Sequence, residues 1–195
     1  MGKIFYLIGP SASGKDSLAR ALLAEFADRL RPVIMSTTRP IRSGELEGEE
    51  YHFISEAQFH DLEEAGKVIE ARTYQTVHGP WTYATLDDGQ IDLNQHSYLI
   101  TGTLESYRRT AAYFGGEQVI PLYIELDRGL RLARALERER AQTEPKYAEM
   151  CRRFLADEQD FSPEKVAACH LPRVYENDDF DACLAAMRET VEQNL

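Results

Sequence analysis

The chain opens with Lys3-Ile4-Phe5-Tyr6-Leu7-Ile8, which runs directly into Gly9-Pro10-Ser11-Ala12-Ser13-Gly14-Lys15-Asp16-Ser17-Leu18. The first run has the length and apolarity of a buried strand, the next segment is a glycine-bounded loop, and apolar residues then recur at helical spacing. A strand delivered through such a loop into a helix is the setting of a phosphate-binding P-loop. Gly9 and Gly14 accept backbone angles that a side chain would forbid, so successive amides can turn inward on an anion. The helix that follows adds the positive end of its dipole, and Lys15 adds a mobile cation. The candidate phosphate-binding residues are therefore Gly9, Pro10, Ser11, Ala12, Ser13, Gly14, Lys15, Asp16 and Ser17. In the usual pattern a hydroxyl for magnesium follows the lysine. Here Asp16 takes that place and Ser17 comes one residue late, so both are candidate metal ligands, acting directly or through water.

A net charge of −11 argues against general affinity for nucleic acid or anionic membranes. An acidic chain that binds anions must gather its cations locally, which directs attention to arginine clusters. The 195 residues suit one domain with room for inserted lobes. Apolar stretches are strand-sized, so none is expected to span a membrane. The N-terminal apolar run leads into the loop rather than a cleavage site, so no secretory signal is expected. Three widely spaced cysteines, Cys151, Cys169 and Cys183, fit a reduced cytoplasm and no metal cluster. His52, His60, His78, His96 and His170 show no metal-ligand spacing.

Helices and strands alternate along the chain. Ser17 to Leu30 has a helical period, and Pro32-Val33-Ile34-Met35 reads as a short strand. Residues 36–50 form a polar functional loop, and Ser55-Glu56-Ala57-Gln58 is a capping box for a helix ending near Gly66. A strand is expected from Val68 to Tyr74, broken by His78-Gly79-Pro80, and another at Tyr98-Leu99-Ile100. A helix follows from Leu104 to Phe114, stopped by Gly115-Gly116. Val119 to Leu126 is a strand whose Pro121 marks an edge or a bulge. A charged helix runs from Arg128 to Arg140, Pro145 opens another, and Asn177-Asp178-Asp179 caps a terminal helix with Cys183, Leu184, Met187 and Val191 on its apolar side. This alternation predicts a parallel, helix-covered sheet with ligands at the carboxyl ends of its strands.

A second anion site is written in Ser36-Thr37-Thr38-Arg39-Pro40-Ile41-Arg42-Ser43-Gly44-Glu45-Leu46-Glu47-Gly48-Glu49-Glu50-Tyr51-His52-Phe53. Two arginines three residues apart, framed by proline and glycine, can converge on one anion, and a nearby phenol can donate to it. With this segment in view the chain resembles the guanylate kinases, whose monophosphate-binding segment follows T-T-R-x-x-R-x-G-E-x-x-G-x-x-Y. The opening G-P-S-x-x-G-K-x-S-L is similar to that family too, and the likeness extends over nearly the whole chain.

The resemblance implies roles for further residues. Val68-Ile69-Glu70 is similar to the family's strand with a guanine-binding glutamate, and a carboxylate suits the two adjacent donors of guanine. Gly79 through Thr85 resembles the family's G-N-Y-Y-G-T, so the second acceptor-phosphate phenol is Tyr83, displaced by one. Lid arginines closing on the transferring phosphoryl are implied at Arg134, Arg138, Arg140, Arg152 and Arg153. Asn177-Asp178-Asp179-Phe180-Asp181 looks like the family's N-D-D-L-D, with Asn177 contacting the adenine of ATP. The family's serine guanine contact falls on Met35, with Ser36 beside it, and its D-I-D becomes Thr101-Gly102-Thr103. Asp16-Ser17-Leu18 after the lysine also resembles the ribose bisphosphate kinase of phosphonate metabolism.

The resemblance thus implies an α/β P-loop kinase fold with a central parallel sheet flanked by helices. It implies a core of residues 1–35, 86–127 and 160–195, an acceptor-binding lobe at 36–85 and a helical lid at 128–159. ATP and Mg²⁺ are the implied cofactors, and nucleotides, rather than nucleic acid or membrane, the partners. The acceptor site comprises Ser36, Arg39, Arg42, Glu45, Tyr51, Glu70, Tyr83, Thr101 and Thr103. The acceptor is GMP, with ribose bisphosphate as the alternative. A third possibility is a non-catalytic phosphopeptide-binding relative of the kinases, which typically lacks the P-loop retained here in Gly9, Gly14, Lys15 and Ser17.

Overall fold

A computed structural model of the chain describes residues 1–42, 44–76 and 79–195. Ser43 and the strand break expected at His78 lie outside the described residues. In chain order the elements are β1 (Ile4–Ile8), α1 (Lys15–Glu25), β2 (Leu30–Pro32), β3 (Ser36–Thr37), β4 (His52–Phe53), α2 (Glu56–Glu64), β5 (Val68–Thr76) and β6 (Gly79–Leu86). They continue with β7 (Ser97–Gly102), α3 (Leu104–Phe114), β8 (Val119–Glu125), α4 (Arg128–Arg140), α5 (Tyr147–Asp160), α6 (Pro163–Ala167), β9 (Val174–Glu176) and α7 (Phe180–Asn194).

Five strands form one all-parallel sheet in the order β2-β7-β1-β8-β9. Every residue of β1 is buried because helices cover both faces of the sheet. Phe5 and Leu7 face Leu18 and Leu22 of α1 and Cys183, Met187 and Val191 of α7. Ile4, Tyr6 and Ile8 face the other way, onto Leu104, Tyr107 and Ala111 of α3. This is the expected α/β fold, and the carboxyl end of β1 feeds the glycine-bounded loop at the centre of the sheet.

Four further strands make a second, mixed sheet ordered β4-β3-β6-β5, in which β5 and β6 are an antiparallel pair. The capping box forms as expected: Ser55 Oγ accepts from the Gln58 amide, and the Gln58 side chain accepts from the Ser55 amide. The helix it starts, α2, lays Phe59 on Ala84 and Leu86 of β6.

Several local expectations are corrected. The strand expected at 32–35 is split, with β2 ending at Pro32 in the large sheet and β3 starting at Ser36 in the small one. Val33 and Met35 are apolar because they fill the seam against the large core, and the Gln90 side chain brackets both backbone groups of Ile34 at 2.8 and 3.1 Å. The strand expected to stop near Tyr74 continues to Thr76, and β6 begins at Gly79, where a break was expected. Although β8 lies between β1 and β9, β9 pairs only with Tyr123 to Glu125, so Pro121 stands where β8 is flanked by β1 alone, a local edge as expected. Helix α1 ends at Glu25 rather than continuing toward Leu30, while β9 and α6 were not anticipated. No helix among the described residues is long and apolar enough to cross a membrane.

Candidate active site

The loop after β1 is shaped by two left-handed residues, Ala12 (φ 62°) and Gly14 (φ 90°). Gly14 is doubly constrained. Besides its angle, a Cβ there would stand 2.2 Å from Asn177 Nδ2 and 3.9 Å from a guanidinium nitrogen of Arg134. Lys15 opens α1 and is partly exposed. Asp16 and Ser17 follow in the first helical turn with exposed side chains. Asn177 is buried behind the loop, where its Nδ2 donates to the Ser13 carbonyl at 2.6 Å. It therefore braces the loop from below. Ser13 Oγ and Asn177 Oδ1 are both buried without hydrogen-bond partners. Pro10 is buried, Ser11 is partly exposed, and the Gly9 amide reaches the Gly102 carbonyl at 3.5 Å.

The second constellation forms around Arg39, which is buried at 3 % exposure. Its two terminal nitrogens fork onto the Glu45 carboxylate at 2.7 and 2.6 Å, and one also donates to the Pro40 carbonyl. The guanidinium lies over the rings of Tyr51 (5.1 Å) and Phe53 (5.3 Å). Tyr83 packs edge-on against Tyr51 at 5.5 Å, and Tyr74 against Tyr83 at 5.8 Å. Burial alone would lower the Arg39 pKa; Glu45 and the Tyr83 phenol outweigh it and hold the group charged. Hydrogen bonding from Arg39 lowers the pKa of Glu45, which also accepts the Arg42 amide at 2.8 Å. Arg42 itself is exposed. Ser36 is buried in β3, two residues from the Thr38 hydroxyl that accepts the Thr82 amide.

Glu70 is 4 % exposed and accepts a hydrogen bond from Thr85 Oγ1 at 2.8 Å. Burial raises its pKa, against the pull of that bond and of Arg109 and Arg72. Thr101 and Gly102 end β7. Gly102 is there because the Tyr6 hydroxyl would stand 2.5 Å from any Cβ it carried. Thr103 is the N-cap of α3, its hydroxyl accepting the Ser106 amide. That hydroxyl is thus already engaged in starting the helix.

The arginine-rich helices divide their residues. Arg134 lies against the loop, with its guanidinium 3.4 Å from the Asn177 carbonyl. Arg138 and Arg140 are exposed in the last turn of α4 and are not drawn to the loop by any described contact. Arg152 pairs with Glu149 at 2.7 and 2.8 Å. Arg153 faces Glu139 at 3.8 Å and Glu149 at 4.0 Å.

Four participants escaped the sequence reading. Arg131 is buried, paired with Glu158 and stacked over Phe154. Arg72 of β5 pairs with Asp160 of α5, and Tyr74 stands beside it. Asp157 of α5 accepts the Ser11 amide at 2.9 Å. The i, i+4, i+8 spacing of Glu149, Arg153 and Asp157 marks one helical stripe that could have revealed the last of these.

The glycine-bounded loop and the Arg39 cluster lie within electrostatic reach of each other. The Tyr51 phenol is pushed up to about 12, chiefly by burial, with Asp16 and Glu45 among the charges that add to it. Asp16 and Ser17 offer a carboxylate and a hydroxyl, which suit a hard cation that keeps waters and phosphate oxygens for its remaining ligands. Among the described residues, no group of three or more His, Cys, Asp or Glu could hold a metal ion.

Residues 1–85 match the family model described as Guanylate kinase. Among curated proteins, the chain is 44% identical over 73 residues to the guanylate kinase of Mycoplasma pneumoniae, covering 37% of this chain and 30% of that one. It is 46% identical over 69 residues to the enzyme of Nitrosococcus oceani, covering 35% and 34%. With that of Chromobacterium violaceum it is 38% identical over 95 residues, covering 46% and 44%. The chain thus spans less than half the length of these curated relatives. The fold extends further: the crystal structure of guanylate kinase from Anaplasma phagocytophilum superposes with a TM-score of 0.66 at 19% identity, over 98% of this chain and 85% of that one. Together these likenesses show a sequence similar to guanylate kinases over residues 1–85 and the fold of a guanylate kinase over nearly the whole chain.

Proposed function

We propose that the chain, as a member of the guanylate kinase family, transfers the terminal phosphoryl group of ATP to a nucleoside monophosphate, converting GMP to GDP. The observation that carries this reading is that two clusters suited to anions lie within electrostatic reach of each other. The left-handed loop with Lys15 and Asp16 is one and the Arg39–Tyr51–Tyr83 cluster the other, near enough for the Asp16 charge to act on Tyr51. Phosphoryl transfer asks for this arrangement because it needs positioning and charge neutralisation more than covalent chemistry.

In this reading Gly9 to Ser17 cradle the ATP phosphates, braced by Asn177. Asp16 and Ser17 hold Mg²⁺, which neutralises phosphate charge when bound. Arg39, Arg42, Tyr51 and Tyr83 receive the acceptor phosphate, with Glu45 fixing the orientation of Arg39. Glu70 reads the guanine donors, with Ser36, Thr101 and Thr103 nearby in the acceptor lobe and at the end of β7. Lys15, Arg134 and the lid arginines Arg138, Arg140, Arg152 and Arg153 offset charge on the phosphoryl in flight, and closure of lobe and lid excludes water. The lobe and lid bounds at 36–85 and 128–159 belong to the same proposal. Three free cysteines suit a reducing, cytoplasmic setting.

The test is a phosphoryl-transfer assay with ATP·Mg²⁺ against GMP, dGMP, AMP, UMP and ribose bisphosphate. GMP should be the best nucleotide acceptor. Turnover of ribose bisphosphate with none of GMP would overturn the guanine assignment, and no transfer to any acceptor would overturn the kinase.

A further inference from the structure

We propose that Asp157 stands where the polyphosphate of the donor nucleotide must come, so that the lid helix and ATP compete for the P-loop amides. This rests on the kinase reading and concerns the regulation of the same site. Helix α5 carries Glu149, Arg153, Asp157 and Asp160 along one stripe. Each acid on it already has a partner. Glu149 holds Arg152, Asp160 holds Arg72, and Asp157 Oδ2 accepts the backbone N–H of Ser11 at 2.9 Å. The first two are ion pairs between side chains. The third differs in kind, because its donor belongs to the loop whose amides are turned to receive phosphate oxygens.

A carboxylate is the nearest protein equivalent of a phosphate edge: an anion with acceptor oxygens and no donor. The contact joins residues 146 positions apart, and it serves neither a helix cap nor a turn. Asp157 makes no ion pair among the described residues, so its charge faces the loop without a cation of its own. Two anions cannot share such a part-buried site at low cost. Nucleotide entry therefore dislodges Asp157, and because that side chain is fixed to α5, the helix moves with it. Arg152 and Arg153 ride on the same helix, paired meanwhile with Glu149 and Glu139. Donor binding and release of Arg153 from Glu139 of α4 become one event, while Arg152 travels with Glu149 on the moving helix. The acceptor side meets the same acidic edge, since Asp160 is tied to Arg72 and the Tyr74 phenol lies in the field of both aspartates.

The experiment is calorimetric titration of ATP, and separately of inorganic tripolyphosphate, into the wild-type protein and Asp157→Asn. Asparagine keeps the acceptor oxygen and the size of the side chain and removes the charge. The expected result is a threefold or greater tightening of both ligands, with the KM for ATP falling while kcat does not rise in proportion. Glu144→Gln, which removes an exposed charge just before α5 and breaks no described contact, should change ATP affinity less than twofold. An aspartate that merely held the helix in place would give unchanged or weaker binding on replacement. Wild-type binding with no such gain in Asp157→Asn overturns this inference and leaves the kinase reading standing. An equal gain in Glu144→Gln overturns it as well, by reducing the effect to a general field. Failure of the wild-type protein to bind either ligand removes both readings. Asp157→Ala supplies the same comparison if the asparagine variant does not fold.

Discussion

Glu70 carries its carboxylate in a place that resists ionisation, and the cost can be measured. Burial raises its pKa, so the folded protein keeps the Glu70 proton to higher pH than the unfolded chain does. The stability gained from that proton is full below the ordinary glutamate pKa and is lost as pH rises through the raised value. Glu70→Gln cannot ionise, and its amide oxygen can still accept the Thr85 hydroxyl. The variant should therefore melt above wild type at about pH 8 and close to it at about pH 4, each kcal/mol recovered shifting Tm by about 2–4 °C in a chain of this size. Its preference for GMP over AMP should flatten, because the new amide turns a donor toward a guanine donor. The two acceptor arginines make a second contrast. Arg42 is exposed, so Arg42→Ala should weaken GMP by roughly tenfold to a hundredfold, the loss of a charge-assisted contact, with Tm unchanged. Arg39 is buried and forked onto Glu45, so Arg39→Ala should lose acceptor affinity and Tm together, which thermal melts and acceptor titrations would separate.

At the scale of elements, what the sequence made legible was what is decided locally. Helix α3 spans Leu104–Phe114 and α4 Arg128–Arg140, as their periodicity and flanking residues indicate, and Ser55 with Gln58 announces α2. The strands β3, β4 and β9 have two or three residues each and exist because distant partners reach them, so no local pattern specifies them. The same division runs through the site. The loop residues and the two arginines carry contiguous motifs, whereas Arg72, Arg131 and Asp157 acquire meaning only from helices that return from far along the chain. A search of the lid for cations alone passes over its acids. Thr103 illustrates an element claiming a residue from a site. Its hydroxyl caps α3, so Thr103→Val should cost about 0.5–2 kcal/mol of stability. The ratio of GMP to AMP efficiency should stay as in wild type; a collapse of that ratio would return Thr103 to base recognition.

Across the whole molecule, a chain of net charge −11 assembles an anion site by supplying its own counter-anions. Glu45, Glu149 and Asp157 meet the groups on which phosphates would act, which keeps those groups from being left uncompensated. The Arg72–Asp160 pair, each partner about one-fifth exposed, ties the small sheet to the lid helix. Arg72→Ala should release that tie. Small-angle scattering should show a larger radius of gyration without substrates, and the KM for GMP should rise by about threefold to tenfold. An unchanged scattering profile would mean that the two bodies are held by other contacts.

The strand order carries one more consequence, for how the chain is made. Residues 1–85 hold the sequence match to the family, yet within them the large sheet has only β1 and β2, and these are not neighbours. Strand β7, at Ser97–Gly102, must slot between them, and β8 must flank β1 before either of its edges is closed. The nascent chain leaves the ribosome with β1 and β2 unable to pair, although the strands of the small sheet, β3 to β6, already have one another. The phosphate loop then waits for Asn177, 164 residues later, to settle beneath it. The loop that is easiest to recognise in the sequence is among the last parts of the molecule to become ordered.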